Sequence, residues 1–244
     1  MIDIEDVVRP GDRCDFETIP DKFAKDIEGE KKYYITKVYD VNDDGTVSLV
    51  MPLDKTKLIV LSEGEEYDLY FYAGKGIYAC RGRVVGRLKD ENNIPVAVVE
   101  TLTELKKHQR REYYRYTCVV GMTTRQLPDW EEKDFMEHNR LDVLAECNEK
   151  SVIVDISGGG LRFVSAADYE PGKLVNCVFI LQTKGINKTH NLVMRILSVT
   201  PVPNNAGNKE YRGQFIYIEN GEREEIISFI FEEERRIRAK MNGY

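Results

Sequence analysis

Between Lys106 and Arg115 the chain carries five fixed positive charges in ten positions, Lys106, Lys107, Arg110, Arg111 and Arg115, although its net charge is -7. Such a local reversal of sign calls for an anionic partner or for full solvation. An arginine fork pairs with phosphate oxygens or with the O6 and N7 edge of guanine, and its flat face stacks on a purine. Arg111 and Arg115, four apart in a connector, can wrap a ligand from two sides while Arg110 stacks against its face. Further along, Asp155, Ser157 and the glycines Gly158, Gly159 and Gly160 close an apolar run. A carboxylate at 155 can accept from the amine and imino groups on the other edge of guanine, or can simply end its strand with a turn hydrogen bond. Ser157 can bond a phosphate or a base, and glycines let the backbone approach a bulky ligand closely. Together these residues outline a site for a small phosphate-bearing molecule that also carries a base.

Spacing alone is weak support, because Arg83 and Arg87 repeat it inside an expected strand where a solvated face explains them. The order is more specific: an arginine connector, a strand, then a strand ending in D-x-S-x-x-G. The acidic balance argues against work on long nucleic acid, whose affinity comes from neutralising many phosphates at once. One rival from that class is a single-stranded RNA-binding β-barrel that uses Tyr113, Tyr114 and Tyr116 as stacking rings. A second rival is an enzyme with Asp155 or Glu112 as base, but no activated nucleophile accompanies either. The expectation is a binding protein without catalytic residues, cofactor or metal.

The elements that must position these groups read as two sets of strands. At 244 residues with 42% hydrophobic and 32% charged residues, the chain has the composition of one or two globular domains. Short runs at 33–39, 46–51, 57–61, 67–72, 76–85 and 94–102 alternate or are bounded by turn signals such as Asn42, Asp43, Asp44, Gly45. They predict a small antiparallel barrel or sandwich in which Tyr67, Tyr70, Tyr72 and Tyr78 cover half-buried faces. After the connector a strand starts at Tyr116, with Tyr116, Cys118 and Val120 on one face, and strands return at 151–156, 161–165, 174–181, 192–199 and 211–218. Residues 127–150 read as an insertion with one short helix starting near Pro128 and Asp129. The last element, 222–241, is a helix with Ile226, Phe229, Ile230 and Ile237 at helical spacing, expected to cover the open end of the second barrel. The fold class expected is all-β, two antiparallel barrels with a C-terminal helix, divided as 1–107 and 108–244.

Cys14, Cys80, Cys118, Cys147 and Cys177 are odd in number and widely spaced, which predicts small core residues and neither disulfides nor zinc. His108, His138 and His190 are too scattered for a helical metal pair and are expected to be solvated. No run approaches the roughly 18 apolar residues of a membrane helix. The acidic first residues lack a secretory pattern, so a cytoplasmic location is expected.

At Arg111, Arg115, Asp155, Ser157 and Gly160 the chain resembles the PilZ family of cyclic di-GMP receptors, whose motif is RxxxR followed by (D/N)xSxxG. Gln109 and Arg110, the strand Leu161, Arg162, Phe163, the strand from Tyr211 to Phe215 and the terminal helix extend the likeness. The start Arg9, Pro10, Gly11, Asp12, the Asp43, Asp44, Gly45 hairpin, and Met51 with Pro52 are similar to the YcgR-like flagellar brake subgroup. The long segment between Val120 and Lys150 departs from the pattern. The resemblance implies that Arg110, Arg111, Arg115, Asp155, Ser157, Gly158 and Gly160 bind cyclic di-GMP and that binding alters the interdomain arrangement. It also implies a protein partner in the flagellar motor and association with the flagellar basal body, with regulation of polysaccharide production as the alternative output.

Overall fold

Where this chain is extended, every second side chain tends to be apolar, and each of the two sets of strands closes on itself. In the computed structural model, which describes residues 2–19, 32–74, 76–141, 146–203, 205 and 207–241, contacts divide the chain into two units, Met1–Arg110 and Arg111–Tyr244.

The first unit opens with a single helical turn, α1 (Ile4–Val7). Strands β1 (Arg13–Thr18), β2 (Tyr33–Val41) and β3 (Val47–Val50) follow, then a two-stranded ribbon, β4 (Leu53–Asp54) and β5 (Lys57–Leu58). The unit is completed by β6 (Glu66–Ala73), β7 (Gly76–Lys89), β8 (Pro95–Thr101) and β9 (Lys106–His108). The sheet order is β6-β1-β2-β3-β8-β7, and a β6–β7 pairing closes it into a six-stranded antiparallel barrel. Strand β6 shows the alternation: Tyr67, Leu69, Phe71 and Ala73 point into the core while Glu66, Asp68, Tyr70 and Tyr72 lie outside it. The expected strand at 57–61 is reduced to the exposed two-residue β5 beside the barrel. Arg83 bridges to Glu66 and Glu100 on neighbouring strands and Arg87 to Glu63 in the turn before β6, so the second RxxxR is taken up by surface ion pairs.

Part of the basic stretch is itself sheet. Strand β7 pairs with β8 only from Gly82 onward, leaving the edge of Ile77–Ala79 open on that side. Lys106–His108 fill it, with Ala79 opposite Lys106 and Ile77 opposite His108. Backbone groups on an unpaired edge seek partners, which is why the connector begins later than the charge run suggests.

The second unit contains β10 (Tyr116–Gln126), α2 (Asp129–His138), β11 (Glu149–Ser157), β12 (Gly160–Ser165), β13 (Leu174–Thr183), β14 (Ile186–Pro201), β15 (Lys209–Ile216) and α3 (Asn220–Met241). Its closed barrel runs β10-β11-β12-β15-β14-β13, antiparallel throughout. Phe163 and Tyr211 stack inside it with centroids 5.0 Å apart, and Tyr169 donates to the Thr124 hydroxyl at 2.8 Å. From α3, Ile226, Phe229 and Ile230 enter this core. Ile237, expected on the same face, remains 39% exposed toward the C-terminal end of the helix. In the insertion, Phe135 of α2 packs with Leu127, Leu174 and Val193. Arg125 makes a two-pronged ion pair to the buried Glu131 at 2.6 and 2.9 Å. Residues 142–145 of the expected insertion lie outside the described residues.

Cys14, Cys80 and Cys177 are buried, and all five cysteines are free. His190 departs from expectation: it is 1% exposed, stacked on Phe179 at 5.2 Å with Nδ1 3.3 Å from Glu222. On β14 His190 shares the inward face with Leu192 and Met194, and a polar residue at an inward position is buried with its neighbours.

Candidate ligand site on the second barrel

The site begins with a tight hairpin. Ser157 pairs with Gly160, leaving Gly158 and Gly159 as a two-residue turn. Ser157 is buried and its hydroxyl donates to the Gly160 carbonyl at 3.0 Å, so the motif serine fastens the turn from within. At Gly160 a Cβ would stand 2.2 Å from the Gly213 carbonyl oxygen, so β12 and β15 approach too closely there for any side chain. The amide of Phe215 donates to the Gly159 carbonyl at 3.0 Å, tying the turn to β15. These two motif residues, Ser157 and Gly160, thus shape the hairpin.

The hairpin register fixes what flanks Asp155. Counting back from the turn sets Asp155 opposite Arg162, and Arg162 Nε donates to Asp155 Oδ2 at 3.3 Å while its Nη1 reaches Glu210 at 2.9 Å. Asp155 is partly exposed on the outer surface, opposite Thr117 on its other side. Arg162 was not singled out as a site residue, although the two-residue turn makes the 155–162 pairing countable.

The connector enters beside this hairpin. Tyr116 pairs with Ile156, so β10 starts against the end of β11 that carries Asp155 and Ser157, and Arg115 immediately precedes that pairing. Arg115 lines a cleft of about 320 Å³ with Tyr114, Thr117 and the α3 residues Glu234, Ile237 and Arg238. Tyr114 is hydrogen-bonded to Glu234, which raises its phenol above the usual value. Arg111 is exposed at the start of the unit.

Between the two motif arginines, Tyr113 lies against the glycine turn. A Cβ at Gly158 would meet its Cδ1 at 2.7 Å and one at Gly159 its Cδ2 at 3.0 Å. The guanidinium of Arg223, in the first turn of α3, sits 5.1 Å from the Tyr113 ring centroid and donates from Nη1 to its hydroxyl. Neither Tyr113 as a cover nor Arg223 was expected, and no local sequence signal links residues 110 positions apart.

Arg110 is the last residue of the first unit and is held there. Its Nη1 donates to the Tyr72 hydroxyl at 2.6 Å and to Tyr33 at 3.3 Å, and lies 3.8 Å from Asp15. The Asp15 side chain is fully buried, bound by Arg13 at 2.7 and 2.9 Å and by the Tyr33 hydroxyl at 2.5 Å. Burial pushes its pKa up, but the bonds from Arg13, Tyr33 and Tyr72 prevail and hold the carboxyl below its ordinary range. Burial and the Glu17 carboxylate push the Tyr70 phenol up to about 12.

Among the described residues no group of three or more His, Cys, Asp or Glu is arranged to hold a metal ion. Among the same residues no helix is long and apolar enough to cross a membrane.

An antiparallel six-stranded barrel entered by an arginine connector and bearing a D-x-S-x-x-G hairpin defines a class of single-domain binding module, here preceded by a second barrel. The PilZ domain profile matches residues 109–232, and the profile described as flagellar protein YcgR (PilZNR) matches residues 9–101. The chain belongs to the PilZ family, in its YcgR-like two-domain form. Among solved structures it is similar to the Bacillus subtilis inhibitor of motility MotI/DgrA, at 17% identity and TM-score 0.68 over 97% of this chain and 99% of that one. It also matches Escherichia coli YcgR in complex with c-di-GMP, at 12% identity and TM-score 0.46 over 95% and 88% of the two chains. No curated protein matches in sequence.

Proposed function

We propose that this protein is a cyclic di-GMP receptor without catalytic activity. The observation that carries the reading is the start of β10 against the end of β11, which brings the RxxxR connector to the hairpin bearing Asp155. Arg111 and Arg115 supply forks for phosphate and guanine edges, Asp155 accepts from the far edge of guanine, and Gly158 keeps the turn beneath Tyr113 free of a side chain. Ser157 and Gly160 act by holding the turn in shape. Arg110 adds a planar cation that can stack on a base.

Arg110 ends the first unit and Arg111 begins the second, so a ligand engaging both arginines restrains one unit against the other. That change of arrangement is the output we propose, read by a protein partner in the flagellar motor to regulate motility. The name of the Bacillus relative, an inhibitor of motility, supports this output, and the same proposal puts the protein in the cytoplasm, acting at the flagellar basal body.

Calorimetric titration with cyclic di-GMP tests the binding. Each charge-assisted contact is worth roughly 1.5–3 kcal/mol, so Arg111→Ala or Arg115→Ala should weaken binding at least about tenfold, and Arg83→Ala should change little. Parent-like binding by both motif variants would refute the assignment.

A further inference from the structure

The Tyr113–Arg223 pair differs from the arginine ion pairs of the second unit. Arg125 and Arg162 face carboxylates, as do Arg236 and Arg238. Arg223 has no carboxylate within ion-pair distance among the described residues, and its Nη1 donates to a neutral phenol. Its Nε is buried without an acceptor. A partly buried guanidinium that lacks both a counter-charge and a partner for one N–H is costly in a finished fold, and such groups are kept where a ligand completes them. The phenol is equally unusual in its seat. Its ring lies on the bare peptides of Gly158 and Gly159, with the Arg223 guanidinium against the ring.

The glycine turn and the arginine bound the ring from different residues and form a seat that fits a flat ring. The ring now in it belongs to the residue midway between Arg111 and Arg115, so a ligand gripped by those arginines meets Tyr113 first. Resting on the proposed cyclic di-GMP reading, we infer that Tyr113 holds the place of a purine of the ligand and that Arg223 is a further ligand-binding residue. On binding, the connector draws Tyr113 off the glycine turn and a guanine ring takes its seat. Arg223 then passes from the phenol to the purine, stacking on its face or bonding its O6 and N7 edge, and its idle Nε–H gains an acceptor. Tyr113 is thereby a built-in competitor that fills the seat when the messenger is scarce.

Titration of the full chain with cyclic di-GMP tests this, using the parent, Arg223→Ala, Arg223→Lys, Tyr113→Phe and Arg111→Ala, with thermal melts to establish folding. Arg223→Ala should weaken binding about tenfold or more, as expected for losing a desolvated arginine contact. Arg223→Lys keeps the charge and the helix but not the planar fork, and should fall between parent and alanine. Tyr113→Phe keeps the ring but frees Arg223, and should bind several-fold tighter. If the parent binds and Arg111→Ala does not, while both Arg223 variants bind like the parent, this inference fails and the receptor reading stands. Weaker binding by Tyr113→Phe would overturn the competitor role and make the phenol a direct ligand contact. A parent that does not bind cyclic di-GMP overturns both readings.

Discussion

Replacing Gly160 by alanine separates the architectural part of the motif from its binding part. The new Cβ would stand 2.2 Å from the Gly213 carbonyl oxygen and 3.0 Å from the Gln214 Cα. Carbon and carbonyl oxygen rest at about 3.3 Å or more, so β12 and β15 must part by about 1 Å. Both obstacles are backbone, and neither can rotate away. Overpacking a well-filled interior costs about 1–3 kcal/mol, and here the upper end applies, about 3 kcal/mol. With a urea dependence of about 2 kcal/mol per molar, the unfolding midpoint of the second unit should drop by about 1.5 M. Far-UV circular dichroism follows the transition, and the emission of Trp130, the single tryptophan of the chain, 63% exposed on α2 of that unit, is the second probe. Gly158→Ala is the contrast, since its Cβ would meet side chains, Tyr113 at 2.7 Å and Ile227 at 3.2 Å, which can shift where backbone cannot, and it should cost less than Gly160→Ala. A Gly160→Ala midpoint within about 0.3 M of the parent, given the same dependence, would show that strand proximity is not what demands glycine there.

Asp155→Ala should weaken binding of cyclic di-GMP far more than binding of the adenine analogue, and unchanged discrimination between the two in parallel titrations would leave Asp155 with only its Arg162 pairing. Because the folded Asp15 carboxyl is held below its unfolded value near 3.9, it stabilises the first barrel above that pH. That contribution disappears as the pH falls from about 4 through the lowered folded value, so amide exchange in β1 should accelerate there, and Asp15→Asn should remove this pH dependence. Glu131→Ala strands the largely buried Arg125 and should destabilise the second unit by about 3–5 kcal/mol, measured by thermal unfolding at Trp130.

Alternation and turn chemistry are local, and the sequence alone therefore determined most strands of both barrels, the terminal helix, and the short helix starting after Pro128, but it missed β1 and read 57–61 as a strand where only the short β5 forms. The D-x-S-x-x-G run was legible for the same reason as a tight turn between strands 151–156 and 161–165, whereas the pairing of Ser157 with Gly160, which sets Asp155 against Arg162, came from the structure. The boundary of the basic connector was not legible, because Lys106–His108 became strand only where β8 left an edge of β7 open. Nor was the setting of Arg110, which depends on a carboxylate and two phenols brought from β1, β2 and β6 by barrel closure. His190 read as solvated because a single polar residue carries no sign of which face its strand will bury. The seat of Tyr113 was decided by tertiary structure alone. It needs the glycine turn to lie under the connector and the first turn of α3 to bring Arg223 across 110 residues of chain, and no periodicity in either segment encodes that meeting.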